Sequence, residues 1–183
     1  GMKMIQAGEY KYDKYGRKKP KKWLHVVLSA NPLTKDLLDL DIFVDGDGDS
    51  EPQIAEHHLN NLWNFGIEID KFWGDGAFDN TDFFNVLEEY NIESAIPIRD
   101  NASKNANGSM RRVREVFEYK TKNWKEWTHD KQYGKRWLGT EGIFSAVKRV
   151  FGEKTRAKTY HTMCHEIKRR FWAYETMRKY AQT

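Results

Sequence analysis

The apolar positions near the start of the chain follow the two-residue period of β-strands. Residues 22–30 (Lys-Trp-Leu-His-Val-Val-Leu-Ser-Ala) are rich in β-branched and apolar side chains, and Asn31 and Pro32 follow them as a turn signal. Over residues 38–44, leucine, isoleucine and valine alternate with two aspartates and a phenylalanine, which is typical of a half-buried strand. The two strands are predicted to form a hairpin.

Helical and strand-like patterns alternate along the rest of the chain. The sequence predicts helices over residues 50–65, 81–90, 140–151 and 159–180, short strands over 67–73 and 94–99, and a polar loop over 101–107. Residues 113–127 mix β-branched, aromatic and charged side chains at neither period and are predicted to be a strand or extended. This order predicts a mixed α/β fold with helices covering both faces of a central sheet.

Composition indicates a globular protein. The chain of 183 residues has 39% hydrophobic residues and many aromatic ones, which excludes a disordered chain and predicts a single domain over residues 1–183. No apolar run approaches the roughly 20 residues needed to cross a bilayer, so a soluble, intracellular protein without a membrane partner is predicted. The one cysteine, Cys164, excludes an internal disulfide and a cysteine-based zinc site.

Basic residues come in clusters although the net charge is only +4. One cluster spans residues 17–22, a second spans 111–114, and a third is the C-terminal stretch from Lys148 to Lys179. Clustered lysine and arginine side chains neutralise phosphates, which favours nucleic acid as a partner, although a solvated surface remains the alternative for any single cluster. The candidate DNA-binding residues of the first two clusters are Arg17, Lys18, Lys19, Lys21, Lys22, Arg111, Arg112 and Arg114.

Asp75 is the first candidate for metal chemistry. It lies in Phe-Trp-Gly-Asp-Gly-Ala-Phe-Asp, residues 72–79, where a predicted buried strand gives way to a loop. Open α/β sheets usually bind ligands at the carboxyl ends of their strands, and the flanking glycines allow close approach of a metal or phosphate. Without further context, a solvated loop aspartate is the simpler interpretation.

Glu141 and Lys148 form the second candidate pair. They are seven residues apart, which corresponds to two helical turns, so they project from one face about 10 Å apart along the axis. An acid near a metal ion and a cation further along the same face can hold a metal-bound phosphate. A solvated helix face is the alternative, because such pairs are common on helix surfaces.

Four segments, in order along the chain, resemble the DDE transposases of insertion sequences. Residues 133–148 resemble their Tyr-x2-Arg-x3-Glu-x6-Lys signature, and residues 74–79 resemble their Ala-Asp-x-Gly/Ala-Tyr-Asp stretch. Residues 94–99 are similar to the family's Ile-Pro-x-Arg strand, and residues 144–152 to its Phe-Ser-x-x-Lys-Arg-x-Phe-Gly run. The resemblance covers most of the chain and implies a ribonuclease H-like catalytic domain.

The resemblance implies roles for particular residues. Asp75 and Glu141 match the second and third catalytic carboxylates, which would bind Mg²⁺ or Mn²⁺, while Lys148, Tyr133 and Arg136 would contact the phosphates. The implied partners are the DNA of transposon ends and of the target, and a homodimer on the DNA is left open. The implied location is a prokaryotic cytoplasm, associated with the nucleoid.

Two departures from the family pattern carry expectations. Four residues separate Arg136 from Glu141 where the signature has three, so either Arg136 lies about 100° off its usual helical position or a kink at Gly139 absorbs the extra residue. Residues 3–23 resemble the segment that comes directly after the first catalytic aspartate in the family, so that aspartate is expected upstream of Gly1. This chain alone is therefore expected to be inactive in strand transfer.

Two alternatives stay open at this point. The chain could be a non-catalytic DNA-binding or interaction remnant of a decayed transposase. Separately, His161 and His165 lie one helical turn apart and could ligate a metal ion, but one helix offers few ligands, so a surface or packing role is favoured.

Overall fold

The structure, a computed structural model, describes residues 2–5, 23–44, 49–103 and 108–181. Its elements group into two compact units. The first unit combines Gly1–Asp49 with Gly139–Thr183, and the second is Ser50–Leu138. The predicted basic cluster at residues 17–22 lies outside the described residues.

An antiparallel sheet forms the centre of the first unit. Its strands are β1 (Met2–Ile5), β2 (Trp23–Ala30) and β3 (Leu37–Val44), in the order β1-β2-β3. The predicted hairpin is confirmed: β2 and β3 pair with Leu24 opposite Val44 and Leu28 opposite Leu40. The pairing of β1 with β2 was not predicted from the sequence.

Two helices cover this sheet with apolar side chains. They are α5 (Gly142–Phe151) and α6 (Tyr160–Tyr180), both close to their predicted bounds. The core of the first unit consists of Leu24, Val26, Leu28, Ile143, Phe144, Val147, Met163, Ile167 and Phe171. Because Ile143, Phe144 and Val147 recur at helical spacing, α5 presents one continuous apolar stripe to the strands.

The second unit is built around a parallel strand pair. It contains α1 (Glu51–Asn64), β4 (Lys71–Trp73), α2 (Thr81–Glu89), β5 (Glu93–Ala95), α3 (Met110–Thr121) and α4 (Trp124–Asp130). β4 and β5 pair in parallel, and α2 provides the crossover between them. Both strands are shorter than predicted. Phe83, Phe84 and Leu87 of α2 are almost completely buried in this unit's core.

The prediction of a strand or extended chain over residues 113–127 is wrong, because α3 and α4 occupy this range. The side chain of Ser109 caps α3, and Asn123 with Glu126 forms a capping box at the start of α4. These caps satisfy amide groups that a helix otherwise leaves unpaired. Burial of Val116 and Trp127 then outweighs the β preference of the valines and aromatic residues.

A mixed α/β architecture is confirmed. Within the described residues, the strands lie in one three-stranded and one two-stranded sheet. The ribonuclease H-like arrangement, with one central sheet, stays a prediction, as does the single-domain organisation. No helix among the described residues is long and apolar enough to cross a membrane.

Candidate functional site

Asp75 stands directly beyond the carboxyl end of β4. Pairing with β5 continues past the strand, because the Gly74 amide donates to the Ala95 carbonyl at 3.2 Å. Asp75 then caps a 3₁₀ turn (Gly76–Phe78), with Oδ1 accepting from the Ala77 amide at 2.9 Å. Its side chain is 45% exposed. A rigid strand end therefore presents a carboxylate that is partly accessible.

Gly74 is required by packing beside this carboxylate. A Cβ atom at this position would stand 2.7 Å from Phe72 Cε1 and 2.8 Å from Phe78 Cδ2. Those two rings meet edge to face and both contact the ring of Phe83, so neither can move aside easily. The glycine allows the aromatic cluster to close directly behind Asp75.

Arg136 is the sequence-predicted residue that the structure brings to Asp75. Its Nη1 lies 3.7 Å from Asp75 Oδ2, and its guanidinium stands over the rings of Tyr133 and Trp137. Tyr133 itself is buried against Trp127 and Ala95. The aromatic rings hold the guanidinium, and the guanidinium faces one oxygen of the carboxylate.

A buried ion pair fixes the turn that comes after Asp75. The Asp79 carboxylate is fully buried and accepts from Arg112 Nε at 2.7 Å, from Arg112 Nη2 at 3.2 Å and from the Arg99 amide at 3.0 Å. Arg99 Nε also donates to the Gly76 carbonyl at 3.3 Å. No role was predicted for Asp79 from the sequence. The signal available was an acid within an apolar turn, but its partner lies 33 residues away.

The other two arginines of the 111–114 cluster also have partners within the second unit. Arg111 Nη2 donates to the Ile92 carbonyl at 3.1 Å, and its Nε lies 3.5 Å from the carboxylate of Glu115. Arg114 forms an ion pair with Glu88, and its side chain is 64% exposed. Arg114 is the most exposed of the three, while Arg112 is tied to a buried carboxylate.

A network of charges connects α3 with the segment that leads to Tyr133 and Arg136. Lys131 Nζ lies 3.0 Å from Glu115 and 2.9 Å from Glu118. Burial alone would raise the pKa of Glu118, but hydrogen bonds from Lys131 and Lys122 outweigh it and lower the pKa below its usual range. Burial of Lys131 would lower its pKa, but Glu118 and Glu115 outweigh burial and raise the pKa above its usual value. The sequence did not predict this network, because Lys131, Glu115 and Glu118 belong to no recognisable motif.

Glu141 lies at the end of a π-helical turn, Trp137–Glu141, and precedes α5. A π-turn closes with one residue more than an α-turn, so the additional residue between Arg136 and Glu141 is absorbed here. The π-helical turn includes Gly139, where a kink was the sequence alternative. Gly139 is buried, and a Cβ there would stand 3.4 Å from Pro32 Cα. The side chain of Glu141 is exposed.

Lys148 lies two turns along α5 from Glu141. Its Nζ is 2.8 Å from Glu153 Oε1, and its side chain is 30% exposed. The ion pair is on the surface, where such pairs contribute about 0–1 kcal/mol, so breaking it would cost little stability.

Comparison with known families decides the identity of the domain. The family model described as Transposase DDE domain matches residues 1–175, which is nearly the whole chain. The chain belongs to this family. A search of curated proteins and a search of solved structures gave no match.

Membership of the transposase DDE domain family supports functions in transposition and DNA recombination, with DNA as the partner. The family generally uses a divalent metal ion. Among the described residues, no group of three or more His, Cys, Asp or Glu side chains could hold a metal ion. Carboxylate oxygens such as those of Asp75 and Glu141 are nevertheless the ligands that Mg²⁺ and Mn²⁺ prefer, and both side chains are accessible. The donor chemistry of these two residues therefore fits the ion.

Proposed function

We propose that this transposase DDE domain is a metal-dependent catalytic core that cleaves phosphodiester bonds at insertion-sequence ends. The freed 3′-hydroxyl is then joined to target DNA. Family membership supports the reaction class, and the mixed α/β elements are compatible with a ribonuclease H-like arrangement. Action as a homodimer on DNA and association with a prokaryotic nucleoid are further parts of the proposal, supported by the family alone.

The geometry at Asp75 carries the proposal. Its carboxylate stands at the end of a parallel strand, one oxygen accepts from the Ala77 amide, and the other lies 3.7 Å from Arg136 Nη1. A carboxylate with this preorganisation can bind an ion with little loss of side-chain entropy. We assign Asp75 as one metal ligand and Glu141 as the second.

The residues around these ligands would act on the DNA. When bound, a divalent ion neutralises charge on the phosphate and lowers the pKa of the attacking water or hydroxyl. Arg136 would orient the Asp75 carboxylate and contact the phosphate beside the cleaved bond. Lys148 would contact a second phosphate, and Tyr133 would support Arg136 from below through its ring.

The arginines of the 111–114 cluster would lose different amounts of stability on turning from their present partners to DNA. Arg114 would give up only an exposed ion pair with Glu88, whose contribution is about 0–1 kcal/mol. Arg112 would abandon a buried carboxylate, which costs about 3–5 kcal/mol. Of the two, we therefore assign the phosphate contact to Arg114, while Arg112 supports the turn behind Asp75.

Iron-directed cleavage of the protein tests the shared metal site. Fe²⁺ substitutes for Mg²⁺ at carboxylate sites, and with ascorbate and peroxide it cuts the peptide backbone close to the ion. We expect cuts near residue 75 and near residue 141, and we expect Asp75→Asn or Glu141→Gln to abolish both. Glu153→Gln, another exposed acid of the first unit, serves as the control and should retain both cuts. Cutting at one segment alone, or a residue-141 cut that survives Asp75→Asn, would refute a common ion.

Binding to duplex DNA tests the partner. Fluorescence anisotropy with and without Mg²⁺ should show tighter binding with the ion, and Asp75→Asn should remove that increment. Lys148→Ala should reduce the slope of log K against log salt by about one, because one phosphate contact is lost. DNA binding that is insensitive to Mg²⁺ and to both substitutions would favour a non-catalytic DNA-binding module.

A further inference from the structure

Two histidines on the exposed face of α6 hold their rings together. His161 and His165 are both exposed, and their Nε2 atoms lie 3.0 Å apart. The ring centroids are 4.3 Å apart, with an interplanar angle of 81°. One ring N–H donates to the nitrogen of the other, so the ring nitrogens, not the apolar ring edges, face each other.

We propose that His161 and His165 form a binding site for a transition-metal ion such as Ni²⁺, Cu²⁺ or Zn²⁺. On binding, the ring that donates would carry its proton on Nδ1, so that both Nε2 atoms offer a lone pair to the ion. Residues four apart on a helix project from the same face, so both rings can reach one ion. Imidazole nitrogen is a preferred ligand of these metals, whereas Mg²⁺ prefers oxygen. The site is therefore chemically separate from the proposed carboxylate ligands.

The distance between the nitrogens fits adjacent positions around one ion. With metal–nitrogen bonds of about 2.0–2.1 Å and a right angle at the ion, two ligating nitrogens stand about 2.9 Å apart. A tetrahedral angle would place them about 3.3 Å apart. The 3.0 Å separation in the structure is closer to the first value. Square-planar and octahedral ions, Cu²⁺ and Ni²⁺, should therefore bind with less rearrangement than Zn²⁺.

Glu166, the acid next to His165 in the sequence, already has other partners. Glu166 accepts from the amides of Arg156 and Ala157 and pairs with Arg170. Burial would raise the pKa of Glu166, but these donors lower it below its ordinary value, so the carboxylate stays charged and engaged. His165 borders an open groove of about 630 Å³. Water can occupy the remaining coordination positions from this side.

Calorimetric titration of the purified chain with Ni²⁺ alone tests the site. Loss of one of two linked ligands should weaken binding by about 100-fold, so His161→Gln and His165→Gln should each show this loss. The double variant, which keeps neither ligand, should bind at least as weakly as either single variant. His129→Gln, which removes an exposed histidine of α4, is the matched control and should bind as the unaltered chain does.

Spectroscopy and a second control make the result independent of catalysis. The Cu²⁺-loaded chain should give an electron paramagnetic resonance spectrum with two coordinated nitrogens, reduced to one in either single variant. Asp75→Asn should leave the two-nitrogen spectrum of the Cu²⁺-loaded chain and the Ni²⁺ affinity of the histidine pair unchanged, so failure of the proposed catalytic site would not affect this test. Equal Ni²⁺ affinity in the unaltered chain and both histidine variants would overturn the proposal, and so would an equal loss in His129→Gln.

Discussion

Replacing Arg112 with alanine tests whether a buried ion pair supports the candidate catalytic carboxylate. The substitution would remove both guanidinium donors from Asp79, whose side chain is fully buried. The Arg99 amide would still donate to that carboxylate. A buried charge would then lack most of its compensation, at the end of the turn that begins with Asp75.

The stability lost in Arg112→Ala depends on how deeply the ion pair is buried. Removing one partner of a buried ion pair costs about 3–5 kcal/mol, whereas an exposed pair contributes about 0–1 kcal/mol. In a chain of this size, 1 kcal/mol corresponds to about 2–4 °C in Tm. Arg112→Ala should therefore lower Tm by roughly 6–20 °C, and Arg114→Ala, which breaks the exposed pair with Glu88, by about 4 °C at most.

Thermal unfolding followed by circular dichroism measures this difference, with Arg114→Ala as the matched control from the same helix. Asp79→Asn combined with Arg112→Met should recover part of the lost stability, because no unpaired charge remains buried. Iron-directed cutting near residue 75 should also weaken in Arg112→Ala. The reasoning fails if Arg112→Ala lowers Tm no more than Arg114→Ala does.

Three further predictions concern packing, pH and the π-turn. Gly74→Ala should destabilise the chain by about 1–3 kcal/mol in urea unfolding, because the methyl group overlaps two packed rings, while Gly134→Ala, which has open space, should be neutral. The folded-state pKa of Glu166 lies below its ordinary 4.5, so its stabilisation is present above pH 4.5 and is lost as pH falls through the folded value. Tm profiles should show that Glu166→Gln removes this acid-dependent loss. Deletion of Leu138 should convert the π-turn to an α-turn with little change in Tm, whereas deletion of Ser145 should rotate the apolar stripe of α5 away from its core and unfold the first unit. An equal Tm loss in both deletions would contradict this last interpretation.

Local patterns in the sequence were sufficient to predict several elements. The alternation over residues 38–44 identified β3, and the polar start at Ser50 identified the beginning of α1, because strands and capped helices leave short-range signatures. The same reasoning failed for α3 and α4, where valine and aromatic residues suggested a strand. Their caps, Ser109 and Asn123, were the local signal that could have corrected the interpretation.

Features that depend on distant residues could not be predicted from local patterns. The motif around Asp75 predicted a carboxylate at a strand end, and the structure has β4 ending just before it. It did not predict that Asp79 pairs with Arg112 or that Lys131 joins two acids, because charge pairing depends on which helices meet in space. The role of Glu141 as a partner of Asp75 at one ion stays a prediction.

The chain order of the first unit has a consequence for its synthesis. The ribosome delivers β2 and β3 well before α5 and α6, with the whole of Ser50–Leu138 between them. The apolar side chains of Leu24, Val26 and Leu28 must remain without their helical cover during that interval. Nascent chains stalled after residue 138 should therefore recruit chaperones or aggregate, even if the intervening segment has already folded.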